Sequence, residues 1–171
     1  MKRLILMRHA KTEPWNEGID DHGRAFTPAG HDAATAIGLA LIDQGWIPDR
    51  AIVSSARRTR ETWRHLSAIF TDCKMEIEEG LYLAGERGIR DFISEADDAG
   101  TLLVVGHNPG MQDLSMRLIR KAGSQDHRAA LRVSSKFPTG SAALFENEDD
   151  GHFVQEHLKL QNFLRPKDFM D

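Results

Sequence analysis

The sequence predicts an α/β domain, a three-layer α/β/α sandwich around a mostly parallel central sheet. Three times an apolar, strand-like run stops in a polar cluster and a helix-forming stretch begins, the pattern of βαβ units. The runs are continuously apolar rather than alternating, which marks strands buried on both faces of a sheet. At 171 residues the chain has the length of one average domain, and we read residues 1–171 as a single domain.

Leu4-Ile5-Leu6-Met7 is the first run, and it ends in Arg8-His9. Residues 10–27, containing Pro14, Trp15, Asn16, Gly18, Asp20, Asp21, Gly23 and Arg24, read as a long loop. Loops beyond about 12–15 residues are uncommon and often functional. Thr27 is a natural N-cap with Pro28 at the first helical position. Ala33, Ala34, Ile37, Gly38 and Leu41 then recur at helical spacing and mark a buried face, and Gly45 stops the helix. The second strand is Arg50-Ala51-Ile52-Val53, ending in Ser54-Ser55. Its helix carries Thr59, Thr62, Trp63, Leu66, Ile69 and Phe70 on one side. Met75 and Ile77 suggest a minor strand, and Ile89, Phe92, Ile93 and Ala96 a short helix. Thr101-Leu102-Leu103-Val104-Val105 is the clearest strand, ending in Gly106-His107-Asn108-Pro109-Gly110. The helix after it carries Met111, Leu114, Leu118 and Ile119. Residues 142–145 and 153–160 read as strands joined by a charged hairpin loop over 146–151.

Composition narrows the function. With 26 acidic and 22 basic side chains, net charge −4, a general nucleic-acid binder is disfavoured and no nucleic-acid partner is expected. The lone Cys73 excludes an internal disulfide and a thiolate zinc cluster, and fits a reducing compartment. The amino terminus has only a short apolar run broken by Arg8 and His9, and no segment reaches the length of a membrane span. A cytoplasmic protein with no membrane partner is therefore expected. Neither nucleotide-binding glycine motif follows the first strand, and HExxH and GxSxG are missing. His9, His107 and Asp21 would serve as zinc ligands on paper, but the neighbouring arginines would repel a cation, so neither metal nor cofactor is expected.

Parallel strands end along one sheet edge, where open α/β sheets bind ligands. That edge would gather Arg8, His9, Ser54, Ser55, Arg58, His107 and Asn108. Two arginines and two histidines there suit a tetrahedral oxyanion, since guanidinium groups donate paired hydrogen bonds to phosphate. The residues alone leave open the alternative that each histidine merely caps its strand.

Leu6-Met7-Arg8-His9-Ala10 resembles the signature of the histidine phosphatase superfamily, whose fold is called phosphoglycerate mutase-like. The segment from Ser54 to Thr62, with Thr62 four residues after Arg58, resembles its second motif, and Val105-Gly106-His107-Asn108 its third. The three occur in order, each after a strand. Arg8-His9-Ala10-Lys11, residues 21–30, Gly106-His107-Asn108-Pro109-Gly110 and Lys136-Phe137-Pro138-Thr139-Gly140 are similar to the SixA-type phosphohistidine phosphatase branch. The resemblance implies that His9 is the nucleophile, Arg8 and Arg58 bind the phosphoryl group, and His107 stabilises it as an imidazolium. Asp21 is the local candidate for a proton donor, with Glu78 and Glu79 as alternatives. Arg24 would reach the phosphate or hold a loop carboxylate, Asn108 and Ser54 would support the site, and Trp15 would wall its entrance. The implied partners are a phosphorylated histidine-phosphotransfer or phosphocarrier protein, or a small phosphorylated metabolite, with inorganic phosphate as product. A non-catalytic phosphate sensor is the alternative from another class.

Overall fold

The computed structural model describes residues 1–14, 16–149 and 151–170. Its strands, in chain order, are β1 (Arg3–Arg8), β2 (Arg50–Ser54), β3 (Lys74–Glu78), β4 (Thr101–Gly106), β5 (Ala142–Asn147) and β6 (Leu158–Leu164). Its helices are α1 (Pro28–Asp43), α2 (Arg57–Ser67), α3 (Glu86–Glu95), α4 (Gly110–Ala122) and α5 (His127–Ser135). One sheet has the order β3-β2-β4-β1-β5-β6. The β3-β2, β2-β4 and β4-β1 pairings are parallel, whereas β1-β5 and β5-β6 are antiparallel.

Side chains alternate across each strand, so every central strand feeds two cores. On one face Ile5, Met7, Val53, Leu103 and Val105 meet Ile37 and Leu41 of α1 and Trp63 and Leu66 of α2. On the other, Leu4, Leu6, Ile52, Leu102 and Val104 meet Ile89 and Ile93 of α3, Leu114 and Leu118 of α4 and Val133 of α5. Leu4, Ile5, Leu6 and Met7 are all fully buried, and each contributes roughly 1.5–3 kcal/mol by leaving water. That double burial is why β1 lacks alternation.

The Thr27 side chain caps α1 by accepting from the Gly30 N–H, with Pro28 in the first turn. Glycine is required at position 30, because a Cβ there would lie 2.2 Å from the Lys11 carbonyl oxygen. The first loop is thereby clamped against α1. The long loop contains one turn of 3-10 helix at Asp21–Gly23, closed by the Asp20 side chain.

Two expectations are corrected and one helix is added. Helix α2 ends at Ser67, so Ile69 and Phe70 lie beyond it, although Phe70 is still buried. Strand β6 begins at Leu158 rather than near Phe153, because Gln155–His157 form a 3-10 turn. Helix α5 was not anticipated; it buries only Ala129 and Val133, and Asp126 caps it by accepting from the Arg128 and Ala129 N–H groups.

Candidate active site

The parallel run β2-β4-β1 brings three chain segments to one edge. Arg8 pairs in register with Gly106, and Val53 with Val105, so His9, Ser54 and His107 emerge side by side. The loop at 136–140 closes over them. Gly140, at φ +79, donates its N–H to the Arg8 and His9 carbonyls at 3.1 and 2.7 Å. A positive φ is strained for any residue with a Cβ, hence glycine.

A cavity of about 360 Å³ opens here, lined by Arg8, His9, Lys11, Thr12, Asp21, Arg24, Arg58, Leu83, His107, Asn108 and Thr139. The His9 and His107 rings are 5.5 Å apart, centre to centre. His9 Nδ1 lies 2.7 Å from the Ala10 carbonyl. A carbonyl only accepts, so Nδ1 carries the proton and Nε2 keeps a free lone pair. The Ala10 N–H donates to Thr62 Oγ1 at 3.1 Å, and that hydroxyl donates to the Arg58 carbonyl at 2.8 Å. Thr62 thus ties β1's end to α2, which explains its spacing of four from Arg58. His107 Nε2 meets Ser54 Oγ at 2.7 Å.

Burial, reinforced by the charges of His107, Arg58 and Arg8, brings the His9 pKa down to about 3, against the upward pull of the Ala10 hydrogen bond. Burial and then the Arg58 charge bring His107 to about 3, with Asp21 opposing. The imidazolium expected at position 107 is therefore a neutral ring in these surroundings. A phosphoryl dianion among the same groups would reverse the local field and favour its protonation. Arg8 Nε, Arg58 Nε and His107 Nδ1 are buried with no hydrogen-bond partner among the described residues. Burying a polar group unpaired costs about 1–3 kcal/mol, and the two guanidinium N–H groups, with His107 Nδ1 when it is protonated, suit an oxyanion.

Asp21 organises the mouth. Arg58 Nη1 donates to its backbone carbonyl at 2.6 Å and Nη2 to its carboxylate at 3.1 Å. Arg24 Nη1 donates to the carboxylate at 2.9 Å and the Tyr82 hydroxyl at 2.5 Å. Burial works upward on this carboxyl, but the Tyr82 and Arg24 hydrogen bonds and the Arg58 charge outweigh it and hold the pKa at about 2.

Of the residues singled out from sequence, His9, Arg8, Arg58, His107, Asp21, Arg24 and Asn108 all line the cavity. Ser54 sits fully buried behind His107. Asn108 donates to the Phe137 carbonyl at 3.1 Å, the carbonyl that also accepts from Arg8 at 3.0 Å, and so fixes the closing loop. Arg24 holds the loop, with its other nitrogens on the Glu13 carbonyl and Thr12 Oγ1. Trp15 lies outside the described residues. Glu78 and Glu79 do not line the cavity. Sequence reading missed Tyr82, which contacts Asp21, His22, His107 and Arg58. It also missed Thr12, which no motif marks, and gave no role to Thr139 within the segment Lys136-Phe137-Pro138-Thr139-Gly140. Among the described residues no three His, Cys, Asp or Glu side chains gather as a metal-ligand set.

The two buried histidines set a pH dependence of stability. Both are neutral when folded and titrate near 6.5 when unfolded, so acid protonates the unfolded chain first. Their stabilising effect is complete above about pH 6.5 and is lost as pH falls toward 3, and Asp21 adds a further loss between about 4 and 2. Urea unfolding should show a loss on the order of a few kcal/mol between about pH 7 and pH 4. The His9→Asn variant should show a shallower loss; an identical slope would contradict the assignment.

Residues 4–82 match the family model described as histidine phosphatase superfamily (branch 1). An uncharacterised protein of Mycobacterium tuberculosis strain H37Rv is 34% identical over 145 residues, covering 81% of this chain and 85% of that relative. Among solved structures, SixA of Agrobacterium tumefaciens superposes with a TM-score of 0.82 at 25% identity, covering 96% of this chain and 98% of that one. SixA of Nakamurella multipartitia superposes with a TM-score of 0.81 at 29% identity, covering 96% of each.

Proposed function

The chain belongs to the SixA-like branch of the histidine phosphatase superfamily and is a phosphatase of that family; from that premise we propose that it removes the phosphoryl group from phosphohistidine on a protein, through a covalent intermediate on His9. The observation that carries this reading is the pairing of Asp21, the one carboxyl among the cavity's described residues, whose carboxylate is taken up by Arg24, Arg58 and Tyr82. Such a group is ionised at neutral pH and has no proton to give. Expulsion of an alkoxide from a phosphate ester needs a proton donor. A phosphohistidine protonated on its other ring nitrogen departs as neutral imidazole without one.

In the first step the His9 Nε2 lone pair attacks phosphorus in line and the P–N bond to the substrate ring breaks. Its electron pair stays on the leaving nitrogen, and His9 becomes phosphorylated with Nδ1 still protonated and bonded to the Ala10 carbonyl. Arg8, Arg58 and His107 donate to the phosphoryl oxygens as charge redistributes. Transfer runs between two imidazoles, so the step is close to balanced. In the second step water attacks the adduct and the electron pair returns to Nε2. The oxygen and both protons of that water leave with phosphate as its monoanion. These cationic and hydrogen-bonding side chains bind and orient the group throughout.

The test is phosphate release from a histidine-phosphotransfer domain phosphorylated on histidine, compared with p-nitrophenyl phosphate and a sugar phosphate. Higher kcat/KM on the phosphoprotein supports the reading. Release from the small esters alone would contradict it and move the activity to metabolites.

Tyr82 acts on this chemistry through Asp21. The Tyr82→Phe variant removes one hydrogen bond from the carboxylate, which should cost about 1–2 kcal/mol of stability and raise the Asp21 pKa toward the usual carboxylate range. Phosphoprotein turnover should fall by roughly three- to tenfold as Arg58 loosens. Unchanged stability together with unchanged turnover would show that the contact is idle.

A further inference from the structure

Outside the cavity, α2 turns a cationic face to solvent. Arg57, Arg60 and Arg64 are exposed and fall three and four residues apart, on one side of the helix. The opposite side buries Thr59, Thr62, Trp63 and Leu66. With Glu61, the three arginines line a depression of about 290 Å³. Glu61 balances only one of them, since one of its oxygens accepts from Arg57 Nε at 2.8 Å and the other from the Phe26 N–H at 3.0 Å. Arg60 uses Nε to hold the Ser55 carbonyl at 2.9 Å. The Arg64 guanidinium has no hydrogen bond or ion pair among the described residues.

This face begins at the reaction site. Arg57 adjoins Arg58, and the Ser55 hydroxyl meets His22 Nε2 at 3.0 Å, in the 3-10 turn that also carries Asp21. At 1.5 Å per residue the face runs about 10 Å along the helix away from the cavity. It concentrates positive charge on a chain whose net charge is −4. None of the three lines the cavity, and a small phosphate compound seated there would not extend along them. A folded protein delivering a phosphoryl group would lay its surface against them.

We propose that Arg57, Arg60 and Arg64 form a docking surface for an acidic patch on the phosphoprotein substrate, an inference that rests on the phosphohistidine reading above. Guanidinium–carboxylate pairs at such a rim speed encounter and set orientation, and salt screens them.

The test compares wild type with Arg60→Glu/Arg64→Glu on two substrates, an acidic histidine-phosphotransfer domain phosphorylated on histidine and phosphoramidate, at about 50 and 500 mM salt. At low salt KM for the domain should rise about tenfold with kcat unchanged, the gap should close at high salt, and phosphoramidate kinetics should not move. Arg64→Glu alone, which breaks no bond within the fold, should raise KM about threefold. An unchanged KM for the domain at low salt would overturn the docking surface, as would an equal loss on phosphoramidate. If wild type hydrolyses phosphoramidate but not the phosphorylated domain, the phosphoprotein reading fails and the docking surface fails with it.

Discussion

Replacing His9 by alanine is expected to lower phosphate release by at least about 10⁴-fold, with the fold retained. The reason is geometric. His9 combines a lone pair on Nε2, fixed by the 2.7 Å bond from Nδ1 to the Ala10 carbonyl, with a pKa brought to about 3, so the nucleophile is unprotonated across the physiological range. His107 cannot take over, because its Nε2 is engaged by Ser54 and its backbone leaves a different strand. The lost Ala10 bond is worth about 1 kcal/mol, so thermal unfolding should change little. A variant that keeps a rate within tenfold of wild type would mean that water attacks the substrate directly.

Arg58→Ala is expected to lower kcat/KM by about 10²- to 10³-fold, the usual loss when one donor to a developing oxyanion is removed. Arg58 is 3% exposed, and its fork also holds the Asp21 carbonyl and carboxylate. The substitution should therefore loosen the first loop as well, by about 1–2 kcal/mol given the partly exposed partner. Arg58→Lys should recover little, because an ammonium cannot hold Asp21 and phosphate at once. A double-mutant cycle separates the two effects: Asp21→Asn should cost less stability beside Arg58→Ala than in wild type, the remainder being its bonds from Arg24 and Tyr82. Full activity in Arg58→Lys would contradict the bidentate role.

The strands that build the site could be read from sequence because their burial is one-dimensional information. Leu4 to Met7 and Leu102 to Val105 are covered on both sides, so each is apolar at every position, and the polar residues after them mark the ligand edge. Thr27 and Pro28 likewise announce α1 by local chemistry alone. Strand β6 was misplaced because its buried residues, Leu158, Leu160, Phe163 and Leu164, do not keep a period of two; an irregularity in the β5 register opposite, between Leu144 and Phe145, breaks it. Helix α5 carries too short an apolar stripe, burying only Ala129 and Val133. Tyr82 was missed for a different reason. It reaches Asp21 from 61 residues away, and nothing local marks a residue whose role is to steady a carboxylate on another loop. Arg58 joins it at Asp21 from 37 residues away, so of the three partners of that carboxylate only Arg24, three residues on, was local.

The expectation on which the mechanism rests is that His9 carries the phosphoryl group during turnover. Its most direct test is rapid mixing with a histidine-phosphotransfer domain phosphorylated on histidine, quenching in base, and mass spectrometry of the peptides. We expect one phosphoryl group on the peptide containing His9, acid-labile and base-stable, rising and then decaying at the rate of phosphate release, and missing from His9→Ala. Phosphate release with no adduct on His9 at any time, or an adduct on His107 instead, would contradict it.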